Sequence, residues 1–485
     1  MTAWWRRKPA ASSAAEREAQ ARERLAAHAW PDALLAALGV LREGGHQAWL
    51  VGGTVRDALL GRPQPAPVFD VATDLEPAQV MARFPRVEPI GLAHGTVLIL
   101  AGDVQLESTT MRREGAYADA RRPDRVEWTK DPREDLARRD LTVNAIAWDP
   151  ASAVLLDPFG GLADLEAGVL RAVGDPAARF HEDALRPLRV ARFAARLGME
   201  VEPATRAALG SARDRAEQVA VERVRDELMK MMEGERPSVG WELLREAGLL
   251  DLWLPELART WAVPQNRYHA YDVWGHSLAT VDAAPADKPR VRWAALLHDV
   301  GKVDTREIRG GDATFYDHQN VGAEQVDAAL ARLKFPGADR EAIVHLVREH
   351  MFDYRAEWSD AAVRRWLRRV GEASVADLFD LRIADILGNG LHHGLAGGLE
   401  RFRQRIERVQ AADHALHVRD LEVSGEDAMR VLAIPPGPTV GRVLDRLLEE
   451  VLDDPARNQR EALLQRLEAI RAERASAHVE RTSDP

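Results

Sequence analysis

The chain has 485 residues, which is too many for a single hydrophobic core. At the usual ~100 to 200 residues per domain, this length predicts roughly three or four domains. Apolar residues make up 46% and charged residues 29%, and no apolar run approaches the ~20 residues of a membrane span, which excludes a transmembrane segment. The chain has no cysteine, so any metal must be held by His, Asp or Glu, and its net charge of −11 argues against nonspecific coating of DNA.

Residues 1–30 carry charges where a signal peptide needs an apolar core, so they are interpreted as an N-terminal extension of a cytoplasmic protein. Residues 31–158 alternate strand-like and helical segments, which predicts a domain of roughly five strands. From 159 onward apolar residues recur at spacings of three and four, which predicts helices almost throughout. The predicted fold class is therefore α+β.

A glycine pair, Gly52 and Gly53, ends the first apolar strand and precedes a predicted helix that carries Arg56. Glycines let the backbone approach a ligand, and the free N–H groups of a helix start attract phosphate. Arg56 would add a charge-assisted contact. The alternative is a simple tight turn, and the pair alone does not decide between the two.

Two carboxylates, Asp70 and Glu107, lie on later predicted strands. Phosphoryl transfer by two metal ions needs carboxylates that converge from adjacent strands, and these two are placed to do so. The alternative for a lone strand aspartate is a structural role, as a turn cap or a partner of arginine.

In the helical part, Asp183, Arg186, Arg189 and Arg192 recur at every third residue. On a helix they sweep about half of the circumference, with consecutive members adjacent. An acceptor and a donor fork side by side can read the edge of a nucleobase; the alternative is a solvated face with salt bridges. Pro187 removes a backbone hydrogen bond, so the helix is predicted to begin near Asp183.

A His-rich segment over 263–400 contains a His-Asp pair, His298 and Asp299, at the end of an apolar helix. His276 lies about twenty residues upstream and Asp385 far downstream. Such a set can close around one divalent ion without any cysteine. The alternative is a structural scaffold that keeps the residues without the chemistry.

Several motifs together resemble the class II tRNA nucleotidyltransferases and bacterial poly(A) polymerases of the polymerase-β-like superfamily. They are, in order, VGGTVRDALLG, FDVATD, REGAYADARRPDRVEW, EDLARRDLTVNAIA, DPFGGLADL, LRAVGDP and RFHEDALRPLRVARFAARLG. The downstream H…HDVGK…H…H…D pattern resembles the HD superfamily of metal-dependent phosphohydrolases. The resemblance implies a nucleotidyltransferase head with a small mixed sheet over 31–158, a helical neck and body over 159–262, an HD domain over 263–400 and a helical tail over 401–485.

The resemblance also implies roles for residues of the head and neck. Asp70 and Glu107 would be catalytic, with Asp70 a ligand of Mg²⁺. The residues that would contact the nucleotide are Gly53, Arg56, Arg139, Asp183, Arg186, Arg189 and Arg192. Asp183 and Arg186 would accept CTP or ATP and refuse GTP and UTP, while Asp140 would support the local fold.

One position departs from the family. Members carry Asp-x-Asp where this chain has Val68-Phe69-Asp70, and residues 61–69, GRPQPAPVF, offer no replacement acid. Loss of one of two bridging carboxylates is expected to reduce the rate by ~10² to 10⁴ or more. Transfer competence is therefore the open question that the sequence raises.

In the HD domain the resemblance implies that His276, His298, Asp299 and Asp385 bind a divalent transition metal. Lys302 and His318 would lie near the phosphate. The expected substrates of an active site of this kind are 2′,3′-cyclic phosphates or 2′-phosphates of RNA ends.

The leading functional hypothesis is template-independent addition of CCA to the 3′ end of tRNA from CTP and ATP. CC-only addition, A-only addition and polyadenylation are alternatives within the same class. The alternative from a different class is an HD phosphohydrolase with a silent head, and a noncatalytic nucleotide sensor is a third.

Overall fold

The computed structural model describes residues 13–62, 68–114, 126–267, 269–352, 354–355, 357–391, 396–412 and 416–482. The chain divides into two compact units. The first comprises Met1–Arg259 with Ala328–Phe335, and the second comprises Thr260–Asp327 with Pro336–Pro485. The first contains a mixed sheet and helices and the second is mainly helical, which confirms the predicted α+β class. No helix within the described residues is long and apolar enough to cross a membrane.

The head occupies the N-terminal part of the first unit. Its helices are α1 (Ala14–Ala27), α2 (Asp32–Arg42), α3 (Gly52–Leu60), α4 (Pro77–Arg83), α5 (Pro132–Ala137) and α6 (Gly161–Ala167). Its strands are β1 (Ala48–Val51), β2 (Val68–Thr73), β3 (Val87–Gly91), β4 (Thr96–Ala101), β5 (Val104–Thr110), β6 (Arg112–Glu114), β7 (Val126–Trp128), β8 (Ala147–Asp149), β9 (Val154–Leu156) and β10 (Val169–Leu170).

The main sheet of the described head has seven strands in the order β3-β4-β5-β2-β1-β8-β9, more than the five predicted. Most neighbours are antiparallel, but β2 and β5 are parallel at the centre. Strand β3, which the sequence interpretation missed, is a mostly exposed edge strand whose sequence VEPIG contains proline and lacks clean alternation. The parallel pair matters most here, because it sets residues of β2 directly beside residues of β5.

The start of α3 differs from its prediction. Strand β1 ends at Val51 and the helix begins at Gly52, so the glycine pair forms the first turn of the helix instead of preceding it. Gly52 has φ +63°, a left-handed conformation that glycine adopts without the strain of a Cβ atom.

The neck and body continue the first unit as helices. They are α7 (Pro176–Glu182), α8 (Arg186–Leu197), α9 (Pro203–Ala208), α10 (Arg213–Ala216), α11 (Val221–Met232), α12 (Pro237–Glu246), α13 (Leu250–Trp253) and α14 (Pro255–Ala258), with a short strand β11 (Glu200–Val201) paired to β10. Asp183 is extended and lies between α7 and α8, so it is not on the same helix as Arg186. Pro187 stands in the first turn of α8, where its missing N–H is tolerated.

From Thr260 onward the elements are mostly helices. They are α15 (Val273–Ala283), α16 (Pro289–Leu297), α17 (Lys302–Thr305), α18 (His318–Arg332), α19 (Gly337–Glu349), α20 (Asp360–Val370), α21 (Val375–Gly388), α22 (Ala396–Ala411), α23 (Gly425–Leu432), α24 (Pro438–Asp453) and α25 (Arg460–Thr482). Strands β12 (Glu307–Arg309) and β13 (Asp312–Thr314) form a hairpin before α18. Helix α15 packs against both α16 and α21, and this core places the HD residues.

Candidate nucleotide site and metal centre

A cavity of about 840 Å³ opens between the sheet of the head and the helices of the neck. All the residues predicted for the nucleotide site line it: Gly53, Arg56, Asp70, Glu107, Arg139, Asp183, Arg186, Arg189 and Arg192. Val68 and Asp140 line it as well. The structure therefore brings together residues that lie up to about 140 positions apart in the sequence.

Asp70 and Glu107 stand directly opposite each other on the parallel strands β2 and β5. Burial, followed by the charge of Asp70, raises the pKa of Glu107 above its ordinary value. A cation between two such carboxylates would relieve their repulsion, so the pair fits a Mg²⁺ ion. Val68 lies two residues before Asp70, is 38% exposed, and pairs with Gln105, so neither residue at that register adds a carboxylate.

The glycine pair positions the carboxylate of Asp70 as well as leaving room for a ligand. The N–H of Gly53 donates to Asp70 Oδ2 at 3.1 Å, and the N–H of Asp70 donates to Thr54 Oγ1 at 2.8 Å. A Cβ atom on Gly52 would lie 2.9 Å from Arg139 Nη1 and 3.1 Å from Asp70 Oδ2. A larger residue at position 52 would therefore displace both side chains.

Asp140 joins the head to the neck. Asn144 Nδ2 donates to Asp140 Oδ1 at 3.0 Å, and Arg189 Nε donates to Asp140 Oδ2 at 2.7 Å. Although burial by itself raises the pKa of a carboxyl group, Arg189 holds the pKa of Asp140 well below its ordinary value. Asn144 also accepts from Arg56 Nη1 at 2.5 Å. These contacts agree with the supporting role expected for Asp140.

Three of the arginines surround one aromatic ring that the sequence interpretation missed. The guanidinium carbons of Arg56, Arg189 and Arg192 lie 5.0, 5.6 and 4.0 Å from the ring centroid of Phe193. The quadrupole of the ring attracts each cation, which offsets part of the repulsion among them. Phe193 directly follows Arg192 on α8, but a phenylalanine in an amphipathic helix is usually a core residue, so its position carried no functional signal.

Helix α11 supplies further residues that were missed. Arg223, Glu227 and Lys230 line the same cavity. Glu227 Oε2 lies 2.6 Å from Arg192 Nε and Arg223 Nη2 lies 3.2 Å from Asp183 Oδ2. The four-residue spacing of Arg223 and Glu227 in VERVRDELMK places them on one helix face, and this was the only local signal for them.

In the second unit, the four predicted HD ligands converge. His276 Nε2 lies 3.1 Å from His298 Nε2, 3.1 Å from Asp385 Oδ1 and 3.4 Å from Asp299 Oδ2. His276 is on α15, His298 and Asp299 follow α16, and Asp385 is on α21, so the packing of these helices assembles the set. Nitrogen and oxygen ligands at this spacing fit a divalent transition metal.

A second ligand group shares Asp299. Its Oδ1 lies 3.3 Å from His318 Nε2 and 3.9 Å from His350 Nε2, and the two histidine nitrogens are 3.3 Å apart. Burial, with the neighbouring histidines, lowers the pKa of His350 to about 3, so its ring is in the neutral form that binds metals. His350 was noted in the motif but not assigned a role, and the arrangement offers room for two cations joined by Asp299.

These ligands open into a cavity of about 550 Å³ that also presents Lys302 and Arg382. Lys302 Nζ donates to Asp299 Oδ2 at 2.6 Å, and Arg382 Nη1 donates to Asp385 Oδ2 at 2.6 Å. Tyr316 lines the cavity and is exposed. Cations beside the ligands and an aromatic ring in the wall suit a phosphate ester that carries a nucleobase.

Three family profiles match consecutive parts of the chain. The poly A polymerase head domain matches residues 48–171, the probable RNA and SrmB-binding site of polymerase A matches 198–260, and the HD domain matches 267–390. The head fold and its cavity thus define a nucleotidyltransferase with an HD domain.

Curated relatives narrow this class. The CCA-adding enzyme of Lactiplantibacillus plantarum is 32% identical over 87% of this chain and 91% of its own length, and that of Limosilactobacillus fermentum is 33% identical over 88% and 94%. The match to the CCA-adding enzyme of Anoxybacillus flavithermus is 43% identical over 54% of this chain and covers 63% of that protein. The chain belongs to the family of CCA-adding enzymes, which are tRNA nucleotidyltransferases.

Solved structures agree with this assignment. The Bacillus stearothermophilus CCA-adding enzyme in complex with CTP aligns with a TM-score of 0.68 and 25% identity over 92% of this chain and all of that chain. The Thermotoga maritima CCA-adding enzyme complexed with tRNA aligns with a TM-score of 0.55 and 19% identity over 92% of this chain and 97% of that chain, a likeness of fold.

Proposed function

We propose that this protein adds C and A residues to the 3′ end of tRNA from CTP and ATP, without a template and with Mg²⁺ in the head. The observation that carries the proposal is the single cavity in which the Asp70–Glu107 pair faces the arginines of the neck. We also propose that it works in the cytoplasm, where its tRNA substrate is made.

Asp70 and Glu107 are the residues that would hold Mg²⁺. When bound, the ion would neutralise the triphosphate and lower the pKa of the attacking 3′-hydroxyl. The protein itself contributes Arg56 and Arg139, whose guanidinium groups add positive charge for the phosphates in a cavity that also contains two carboxylates. Gly53 keeps Asp70 in position through its N–H, and the absence of a side chain leaves the phosphates room.

Asp183 and Arg186 are the proposed base-reading residues. Cytosine and adenine present an amino donor next to a ring-nitrogen acceptor, whereas uracil and guanine present a carbonyl oxygen next to an N–H. An aspartate beside an arginine matches the first pattern and opposes the second, because a carboxylate only accepts and a guanidinium only donates. Arg189 and Arg192 would complete the nucleotide contacts.

The test is an extension assay with Mg²⁺, labelled nucleotides and tRNA transcripts that end before CCA, after C and after CC. A CCA-adding enzyme extends all three and uses both CTP and ATP. Extension of only the first two by CTP indicates CC addition, extension of only the last by ATP indicates A addition, and long adenylate tails indicate a poly(A) polymerase. Asp70→Asn is the inactive control, and equal extension by this variant would refute the proposed catalytic site.

A second function is supported by the converged HD ligands. We propose metal-dependent hydrolysis of phosphoesters at RNA ends or in 2′,3′-cyclic nucleotides. The test is hydrolysis of 2′,3′-cyclic AMP with Ni²⁺ or Mn²⁺ by the full chain and by His298→Ala. Loss of hydrolysis in the variant alone supports the proposal, whereas the same result for both proteins refutes it. If the head transfers nothing while this site hydrolyses, the protein is an RNA-end phosphohydrolase whose head only binds nucleotide or tRNA.

A further inference from the structure

Two large apolar side chains are exposed at the cavity of the HD unit. Tyr316 is 69% exposed and Met351 is 53% exposed, and both line the cavity of about 550 Å³. The metal-ligand groups, Lys302 and Arg382 also line it, and these suit a phosphate. Single exposed apolar residues are ordinary on a protein surface, but two that open into one cavity beside charged groups indicate that the ligand also has an apolar part.

Both side chains are attached to the second group of metal ligands. Tyr316 stands two residues before His318, and Met351 directly follows His350. The Nε2 atoms of the two histidines are 3.3 Å apart. Two residues of chain span at most ~7 Å, so the backbones of Tyr316 and Met351 lie close to the ligand group. A phosphate at these ligands and an apolar group on Tyr316 can therefore belong to one small molecule.

The backbone on both sides of Tyr316 is held in place. On one side, His318 Nδ1 donates to the carbonyl of Phe315 at 2.8 Å. On the other, Asp317 has φ +66°, a left-handed conformation that is unusual for a residue other than glycine. The carbonyl of Asp317 accepts the N–H of Val321 at 3.2 Å, in the first turn of α18. Tyr316 is thereby preorganised, which lowers the entropy that binding costs.

The ring of Tyr316 already carries a cation over one face. The guanidinium carbon of Arg309 lies 5.1 Å from the ring centroid, and Arg309 Nε donates to Glu307 Oε2 at 2.8 Å. Because most of Tyr316 is exposed although Arg309 lies over one face, the opposite face is open to a ligand. An aromatic ring together with an arginine is the combination on which proteins stack nucleobases.

We propose that Tyr316 is the nucleobase platform of the HD centre, with Met351 as a second apolar contact. The substrate is then the phosphoester of a nucleoside, either a mononucleotide or the last nucleotide of an RNA, with its phosphate at the metal ligands and its base stacked on Tyr316. Every base has a π face, so the platform accepts purines and pyrimidines alike. The inference rests on the proposed phosphoester hydrolysis, because it places the phosphate at the HD ligands.

Steady-state hydrolysis with Mn²⁺ tests the platform. It compares 2′,3′-cyclic AMP with glycerol 1,2-cyclic phosphate, which has the same kind of ester and no base. We expect Tyr316→Ala to raise KM for 2′,3′-cyclic AMP about tenfold with little change in kcat, the worth of one base–aromatic stack that forms equally in the ground and transition states. The KM for the glycerol ester should not change.

Two further variants control for the chemistry of the substitution. Tyr316→Phe keeps the ring and should behave as the wild-type protein. Tyr271→Ala removes an exposed tyrosine of the same unit that is not among the described residues lining the cavity, and it should leave both KM values unchanged. An oligoribonucleotide with a 2′,3′-cyclic phosphate end separates the two sources of substrate. A tenfold effect of Tyr316→Ala on the oligonucleotide alone, or on 2′,3′-cyclic AMP alone, identifies which of them uses the platform.

The outcomes separate the inference from the function on which it rests. An equal loss of kcat/KM for both esters in Tyr316→Ala would assign the residue to the support of His318, and an unchanged KM for both nucleotide substrates would exclude stacking. Either result overturns the inference.

Equilibrium binding of 3′-AMP and of glycerol 2-phosphate with Mn²⁺ provides a test that does not need hydrolysis. Both proteins carry the same head, so nucleotide bound there cancels when Tyr316→Ala is compared with the wild-type protein. If neither protein hydrolyses an ester but Tyr316→Ala binds 3′-AMP about tenfold more weakly, the platform is supported and the proposed hydrolysis fails. Equal binding of 3′-AMP by the two proteins overturns the platform.

Discussion

The head cavity and the HD centre offer different sets of ligands for metal ions. In the head, two carboxylates pair on neighbouring parallel strands and line a cavity together with several arginines, and Val68 occupies the position where family members carry a further aspartate. In the HD unit, histidines and two aspartates converge from packed helices and the link after α16, and the four predicted ligands are buried or nearly so. We therefore expect the HD centre to bind metal ions without a substrate, and the head to bind Mg²⁺ tightly only together with the phosphates of a nucleotide.

The largest expected effect comes from restoring the missing acid of the head. Val68→Asp should raise the rate of nucleotide transfer ~10² to 10⁴-fold, because a second bridging carboxylate stabilises the charge that develops in transfer. Val68 is partly exposed at the start of β2, so the substitution should not disturb the core. Single-turnover extension of a tRNA transcript measures the rate.

Val68→Asn is the matched control, since it has nearly the same size as aspartate but no charge. If both variants raise the rate of nucleotide transfer equally, the charge at position 68 does not limit transfer. If only Val68→Asp extends tRNA and the wild-type chain extends none, the head of this chain is a nucleotide-binding domain and not a working transferase.

The number of metal ions that the HD unit binds tests the HD side of this comparison. The two ligand groups that share Asp299 predict two Mn²⁺ or Ni²⁺ ions in the HD unit. His318→Ala should lose one ion, His276→Ala should lose one, and Asp299→Ala should lose both, because the bridging carboxylate belongs to each group. Equilibrium dialysis followed by elemental analysis counts them, with Asp70→Asn as the background that removes the head site. If His318→Ala binds as many ions as the wild-type protein, His318 is not a metal ligand and the second group does not hold an ion as proposed.

Sequence reasoning succeeded where a short motif determines the geometry. Asp70 and Glu107 were expected to converge because each sits within a strand, and strands place alternate residues on one face. His298 and Asp299 were expected to meet distant ligands because the HD pattern is ordered along the chain. In both cases the local sequence of a few residues is enough to predict which side chains come together.

Sequence reasoning failed where contacts depend on how elements pack. Arg223 lies 40 residues from Asp183, and nothing in the periodicity of α11 identifies α8 and its preceding link as the partner. The start of α8 was predicted near Asp183 from Pro187, but the helix begins three residues later at Arg186, because the amphipathic pattern continues across Asp183 although its backbone is extended. Helix periodicity reports which face is apolar, but it does not report which neighbour that face meets.

The two centres also use their glycines differently, and alanine substitutions should expose the difference. A Cβ atom on Gly301 in HDVGK would lie 2.2 Å from the carbonyl of His318 and 2.6 Å from the backbone nitrogen of Gly322, so the backbone itself must shift. We expect Gly301→Ala to lower the free energy of unfolding of the HD unit by about 1 to 3 kcal/mol, the usual cost of overpacking. Hydrogen exchange of peptides from α16 to α18 should speed up accordingly.

In the head, the atoms nearest to a Cβ on Gly52 are the ends of the Arg139 and Asp70 side chains, which can move. Gly52→Ala should therefore cost only the left-handed strain of about 1 to 2 kcal/mol locally, and its main effect should be displacement of Asp70 and weaker nucleotide binding. Gly441→Ala in α24, where a Cβ meets nothing within 4 Å, is the control and should be neutral or slightly stabilising. If Gly52→Ala leaves nucleotide binding intact, Gly52 is needed only for the backbone conformation at the start of α3. The glycines of the two centres would then not differ in function, and only the ligand sets would distinguish the centres.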